Sequence, residues 1–151
     1  MENIIRTAGI LAFQNHKILL VRHGKKAQHL NDVYGIPAGR IRPNESAVYA
    51  AIREFNEESG LVTSAEYLTK LSKTYTAKIE RKDCVKKFSF EVFLCRKYEG
   101  KIKSTEETTP KWISPDKLGK LKLLPNIKEI ITDAEFETKY STTSCSISST
   151  P

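Results

Sequence analysis

The chain has 151 residues, 39% of them hydrophobic and 28% charged, enough for one domain with a buried core and few for two of ordinary size. Lys and Arg number 25 against 18 Asp and Glu, a formal +7, so the surface favours anionic partners such as nucleotides, polyphosphates or nucleic acid. With no run of eighteen apolar residues and no basic flank ahead of an apolar stretch at the amino terminus, a cytoplasmic chain with no membrane partner is expected.

Two β-rich apolar runs, Ile4 to Phe13 and Lys17 to Val21, flank the short polar "QNHK" and read as a hairpin. A polar, basic loop, "RHGKKAQHLND", leads to "VYGIPAGRI", where Gly35, Pro37 and Gly39 break any helix and suggest a short strand entering a shaped loop. From Glu45 to Ser59 the pattern turns helical, with Val48, Ile52, Phe55 and Ser59 on one stripe, Asn44 or Ser46 available as N-cap and Gly60 just past the end. Residues 62 to 77 and 84 to 98 read as long strands, the second placing Phe88, Phe90, Val92 and Leu94 on one face. "KSTEETTPKWISPDKL" is a polar loop with a short strand at Lys111 to Ser114, and "PNIKEIITDAEF" has the spacing of a closing helix. Eight of the last eleven residues, Ser141 to Pro151, are Ser or Thr, so a domain over 1–140 followed by a flexible tail over 141–151 is expected. This order of strands and helices predicts an α/β (α+β) fold, a mixed sheet sandwiched between α-helices. Cys84, Cys95 and Cys145 are scattered and form no CxxC pair, which argues against a disulfide framework or a zinc site. His16, His23 and His29 have no metal-ligand spacing and read as surface or loop residues.

The helical segment carries the chemistry. Glu54, Glu57 and Glu58 lie three and four residues apart and so share a face. Two of them fall in the last helical turn, where the macrodipole already disfavours negative charge. A hard divalent cation compensates such a cluster, because Mg²⁺ and Mn²⁺ take carboxylate oxygens together with substrate phosphates. The spacing is Gly39, five residues, Glu45, seven residues, then Arg53-Glu54-Phe55-Asn56-Glu57-Glu58-Ser59-Gly60-Leu61. It resembles the box of the Nudix hydrolases, G-x5-E-x7-R-E-U-x-E-E-x-G-U with U bulky and apolar, at all nine defined positions.

That resemblance implies a Nudix fold that hydrolyses a nucleoside diphosphate linked to a further group. It implies that Glu54, Glu57 and Glu58 hold Mg²⁺ or Mn²⁺ with help from the Ala38 carbonyl, and that Arg53 orients a neighbouring carboxylate, Glu57 or Glu45, through its planar fork. Glu45 resembles the structural glutamate of the box. Glu54 is one candidate base, and Glu106 or Glu107 in "STEETTPKW" is another, since Glu106 precedes Trp112 at a distance similar to that of a metal-associated glutamate in the mutator-type triphosphatases.

Subfamily markers narrow the substrate. No proline lies between Pro43 and Pro110, which disfavours the ADP-ribose pyrophosphatases, and Tyr75 only approximates the tyrosine of the dinucleoside polyphosphate hydrolases. "LLPNIKEII" resembles the segment where mutator-type enzymes place an asparagine against a purine edge, so Asn126 is a candidate base reader, although Pro125-Asn126 also suits a plain helix start. Arg22, Lys25 and Lys26 could meet a triphosphate. The expected function is metal-dependent hydrolysis of a nucleoside triphosphate, including oxidised purine forms, to monophosphate and pyrophosphate. The alternatives are a non-catalytic nucleotide- or RNA-binding module and a hydrolase of dinucleoside polyphosphates or RNA 5′ ends. A small-molecule nucleotide is the expected partner; nucleic acid is less favoured, because the strands show no clear aromatic platform for stacking bases.

Overall fold

The computed structural model describes residues 3–23, 32–81 and 84–148, with the side chains of residue 81 and of residues 139–148 outside the description. The elements run β1 (Ile4–Gln14), β2 (Lys17–His23), β3 (Tyr34–Gly35), β4 (Ala38–Arg40), α1 (Ala47–Ser59), β5 (Leu68–Arg81), β6 (Cys84–Cys95), β7 (Thr108–Ile113) and α2 (Ile127–Ser148), with 3₁₀ turns at Ala65–Tyr67 and Pro115–Lys120. Asn15 and His16 take φ of 47° and 68°, the two left-handed residues that a tight hairpin turn needs, and join β1 to β2.

Seven strands form a mixed sheet along the path β3-β2-β1-β6-β5, with β4 added to β1 and β7 to β2. The hairpin between β1 and β2 is short: after Phe13↔Ile18 the strands part, and β2 pairs with β3 and β7. β1 runs parallel to β6 from Ile4↔Lys87 to Ala12↔Cys95 and antiparallel to β4 from Thr7↔Arg40 to Gly9↔Ala38. Because side chains alternate along a strand, β1 and β2 feed two cores. Ala8, Ile10, Ala12 and Leu19 pack against Ala50, Ala51 and Phe55 of α1, while Leu11, Ile18 and Leu20 join Leu71, Tyr75, Val92 and Ile127, Ile130, Ile131 and Ala134 of α2. The sheet therefore lies between the two helices, as the element order predicts. No helix among the described residues is long and apolar enough to cross a membrane.

α1 begins where Ser46 Oγ accepts from Tyr49 N and ends at Gly60, whose φ of 85° is the left-handed cap that glycine adopts without strain. Its buried residues are Ala50, Ala51, Phe55 and Ser59. The stripe expected through Val48 and Ile52 is thus rotated: both are only partly buried, because the sheet beneath carries small residues and the helix rests on its alanines. The long strands also shift. β5 starts at Leu68, after the 3₁₀ turn at Ala65–Tyr67, and β6 stops at Cys95.

β5 is an outer strand, and α2 ties itself to it. The register with β6 jumps between Lys70 and Thr74, a bulge that turns Ser72 N toward Glu137 Oε1 at 2.9 Å. Lys73 pairs with Glu129, and the Tyr75 hydroxyl donates to Asp133 Oδ2 at 2.7 Å. Tyr75 is therefore a core residue that docks α2, and burial with the Asp133 carboxylate beside it raises its pKa. Helical backbone continues to Ser148, into the segment for which a flexible tail is expected; residues 149–151 lie outside the described residues.

Candidate active site

β4 and α1 make the site. Arg53 projects from α1 back over the loop that precedes it. Its Nε and Nη2 each donate at 2.9 Å to the two oxygens of Glu45, a bidentate pair. Nη1 donates to Glu54 Oε1 at 2.7 Å, Nη2 also reaches the Arg40 carbonyl at 2.9 Å, and Glu57 Oε2 stands 3.5 Å away. One guanidinium thus spans three carboxylates. The expectation that its fork takes Glu45 or Glu57 resolves to Glu45, and that hydrogen bonding holds the Glu45 carboxyl at about 2, below the usual range. The Arg53 and Glu45 side chains are both 17% exposed, so the pair is shielded enough to act as a brace.

The three clustered glutamates differ in setting. Glu54 is 15% exposed, and burial raises its pKa despite Arg53. It lies so close to β4 that a Cβ on Gly39 would fall 2.2 Å from its carboxyl carbon; only glycine leaves that space. Glu57 is 49% exposed and faces solvent. Glu58 turns inward and accepts from Ala38 N at 2.7 Å. Burial pushes its pKa up to about 8; the Ala38 N–H opposes the rise, and the charges of Glu54, Glu57 and Glu107 add to it.

The segment between β6 and β7 closes over the end of α1. Lys103 N donates to the Ser59 carbonyl at 2.8 Å and Thr108 Oγ1 to the Glu58 carbonyl at 3.4 Å, which satisfies carbonyls that a helix end otherwise leaves open. This is how the Glu106–Glu107 loop comes to the site, and the charge of Glu107 contributes to the rise at Glu58.

Beside β4 lies a cavity of about 150 Å³, lined by Ala38 and Gly39, by Phe88 and Phe90 of β6, by Ala77 and Ile79 of β5, and by Asn126 at the foot of α2. Asn126 has a φ of 72°. Its carbonyl accepts the first helical bond, from Ile130 N at 2.8 Å, but its side chain does not cap the helix. Nδ2 donates instead to Thr76 O of β5 at 2.8 Å, which leaves the amide oxygen and one N–H for another group.

The other expected residues lie elsewhere. Arg22 is bound to Asp32, Nε to Oδ1 at 2.9 Å, at the foot of the loop that holds Lys25, Lys26 and His29, which are outside the described residues. His23 is not a loop residue: it ends β2, half-buried, and burial lowers its pKa. Sequence reasoning did not find the Ala38–Glu58 bond or the cavity role of Phe88 and Phe90, whose alternation signals only a buried face.

The donors are all hard oxygens. Among the described residues no three acidic, histidine or cysteine side chains form a finished metal cage, since Glu54 is drawn to Arg53 and Glu58 to Ala38 N–H. The set nonetheless fits Mg²⁺ or Mn²⁺, which keep several water or phosphate ligands and need few from the protein. The space left at Gly39 brings the Glu54 carboxylate against the β4 backbone.

The model of the NUDIX domain matches residues 4–134. An 8-oxo-dGTP diphosphatase of Buchnera aphidicola subsp. Schizaphis graminum is 30% identical over 110 residues, covering 73% of this chain and 76% of the relative. Among solved structures, a MutT NUDIX hydrolase from Burkholderia pseudomallei superposes with a TM-score of 0.72 at 20% identity, over 87% of this chain and 98% of that one. The NUDIX domain of Shewanella oneidensis NrtR, solved with ADP ribose, gives 0.71 at 17%, over 91% and 90%. With the full box standing on β4 and α1 and the family model spanning nearly all of the fold, the chain belongs to the Nudix family and is a pyrophosphohydrolase of that family.

Proposed function

We propose that the protein hydrolyses a nucleoside triphosphate, with a purine base and including oxidised forms, to the monophosphate and pyrophosphate with the help of Mg²⁺ or Mn²⁺. The observation that carries this reading is the cavity that starts at Ala38 and Gly39 and ends at Asn126. One wall belongs to the carboxylate site; the far wall offers an amide that can donate and accept, as a base edge requires. The relative named an 8-oxo-dGTP diphosphatase supports the same substrate class.

Glu54, Glu57, Glu58 and the Ala38 carbonyl would hold the cation. Bound there, it would supply charge neutralisation on the diphosphate and a lowered pKa for the attacking water. Arg53 fixes Glu54 against β4, and a carboxylate of the Glu106–Glu107 loop or Glu54 itself accepts the proton of the attacking water. Phe88 and Phe90 exclude water from the base, and Asn126, steadied by Thr76, reads its edge. The test is a panel of nucleoside triphosphates, ADP-ribose, dinucleoside polyphosphates, NADH and sugar nucleotides, each assayed with Mg²⁺ and with Mn²⁺. Purine triphosphates should give the highest kcat/KM with pyrophosphate as product; a clear preference for ADP-ribose or a dinucleoside polyphosphate would replace this reading.

A further inference from the structure

The Glu106–Glu107 loop is held by a pattern of hydrogen bonds that its sequence does not announce. Thr105 Oγ1 lies 3.2 Å from Glu107 N, 3.0 Å from Thr108 N and 2.8 Å from Thr108 Oγ1. Thr105 N donates to the Thr108 carbonyl at 2.9 Å, and Thr108 Oγ1 stands 3.4 Å from the Glu58 carbonyl. Each hydroxyl has one hydrogen to give. If Thr108 gives its hydrogen to Glu58 O, the Thr105 hydrogen must go to Thr108 Oγ1, which leaves both Thr105 lone pairs for the two backbone N–H groups. Every donor then has one acceptor. Thr108 is buried while Thr105, Glu106 and Glu107 are exposed, so these two hydroxyls, with the Thr105–Thr108 backbone bond and the Lys103 anchor at Ser59, order an exposed acidic segment.

We propose that Thr105 and Thr108 form a two-hydroxyl clasp that sets Glu107 against the last turn of the glutamate helix, making both threonines positioning residues for the reaction. The clasp binds the backbone on both sides of Glu107 and the helix that presents Glu54, Glu57 and Glu58. It thereby fixes the backbone that carries the loop carboxylate relative to that helix, and a positional error of about 1 Å in such a group can cost about a hundredfold in rate. The inference rests on the hydrolase reading above and takes Glu107, whose backbone N–H the clasp holds, as the loop carboxylate it positions.

The experiment compares Thr105→Val, Thr105→Ser, Thr108→Val, Glu106→Gln, Glu107→Gln and the double variant Thr105→Val/Glu107→Gln. Two quantities are read: Mn²⁺ affinity of the nucleotide-free protein, by calorimetry, and kcat with KM on the best substrate. Thr105→Val should weaken Mn²⁺ binding severalfold and lower kcat about tenfold with KM nearly constant, Thr105→Ser should recover both, and the double variant should be no worse than Glu107→Gln alone. Thr108→Val should act in the same direction. The idea is overturned by unchanged Mn²⁺ affinity in Thr105→Val, by losses that add in the double variant, or by a larger loss in Glu106→Gln than in Glu107→Gln. The Mn²⁺ measurement needs no substrate, so it decides the clasp even if the proposed substrate class fails.

Discussion

On the α1 face the sheet meets the helix through Ala8, Ala12, Ala50 and Ala51, whereas on the α2 face Leu11, Ile18, Leu20, Leu71, Ile127, Ile130 and Ile131 fill the space. Short side chains let backbones approach, and the approach is used: Glu58 reaches Ala38 N and Glu54 fits over Gly39. Large aliphatic side chains bury more apolar area and supply stability, and dense packing of that kind tolerates small repacking. One face is therefore built for placement and the other for cohesion. The cavity lies on the cohesive side but borrows Ala38 and Gly39 from the other, so chemistry and base selection should be separable by mutation.

The sharpest way to break this division is Glu57→Gln, which removes charge and keeps shape. Turnover should fall at least about a hundredfold at saturating Mg²⁺ with an unchanged melting temperature; near-normal turnover would remove Glu57 from the site. Next, Asn126→Ala should cost about 1 to 3 kcal/mol in kcat/KM for purine substrates and little for pyrimidines. An equal loss on both, with lower thermal stability, would reduce Asn126 to its tie with Thr76. On the cohesive face Ile130→Val should lower unfolding free energy by about 1 kcal/mol in a denaturant titration and leave kcat/KM alone.

A smaller effect is expected from pH. Glu45 is held at about 2 against an ordinary 4.5, so the folded state binds its proton less readily than the unfolded chain. Its contribution to stability is complete above pH 4.5 and disappears as pH falls toward 2. Glu45→Gln should therefore lose less thermal stability than the parent over that interval; identical acid curves would show that the Arg53 pair adds nothing. The smallest effect belongs to deletion of Ser141 to Pro151, which should leave melting temperature and activity nearly unchanged because Ser and Thr bury little apolar surface. A drop of many degrees would show that the segment docks.

What could be read in advance was local. A cap at Asn44 or Ser46, the Gly60 terminus and the turn within Gln14 to Lys17 each depend on residues close in sequence, where side-chain chemistry and backbone preference speak directly, whereas the arginine fork, expected on Glu57 or Glu45 from the family resemblance, needed the fold to choose Glu45. The parallel ladder of β1 with β6 joins residues more than eighty positions apart, and no periodicity in either strand encodes that partner. The rotation of α1 away from Val48 and Ile52 had the same origin, since it depends on how small the opposing strands are. At the site, the box placed Glu54, Glu57 and Glu58 on one helix, but their unequal settings come from β4 and from the Thr105–Thr108 turn. Asn126 shows the limit most clearly: its helix-start position was visible, yet its side chain is claimed by Thr76 from across the fold.

That bond also bears on how the molecule meets copies of itself. An outer strand offers a row of backbone donors and acceptors that another chain can pair with, a route to aggregation. In β5 the bulge hands Ser72 N to Glu137, and Thr76 O is taken by Asn126, so two backbone groups of that strand are already occupied by α2 and the residue that precedes it. An incoming strand would have to displace both, and the bend between Lys70 and Thr74 would spoil its register. The residue proposed to read a base thus also guards an open edge, and a variant that loses it should be watched for precipitation as well as for altered selectivity.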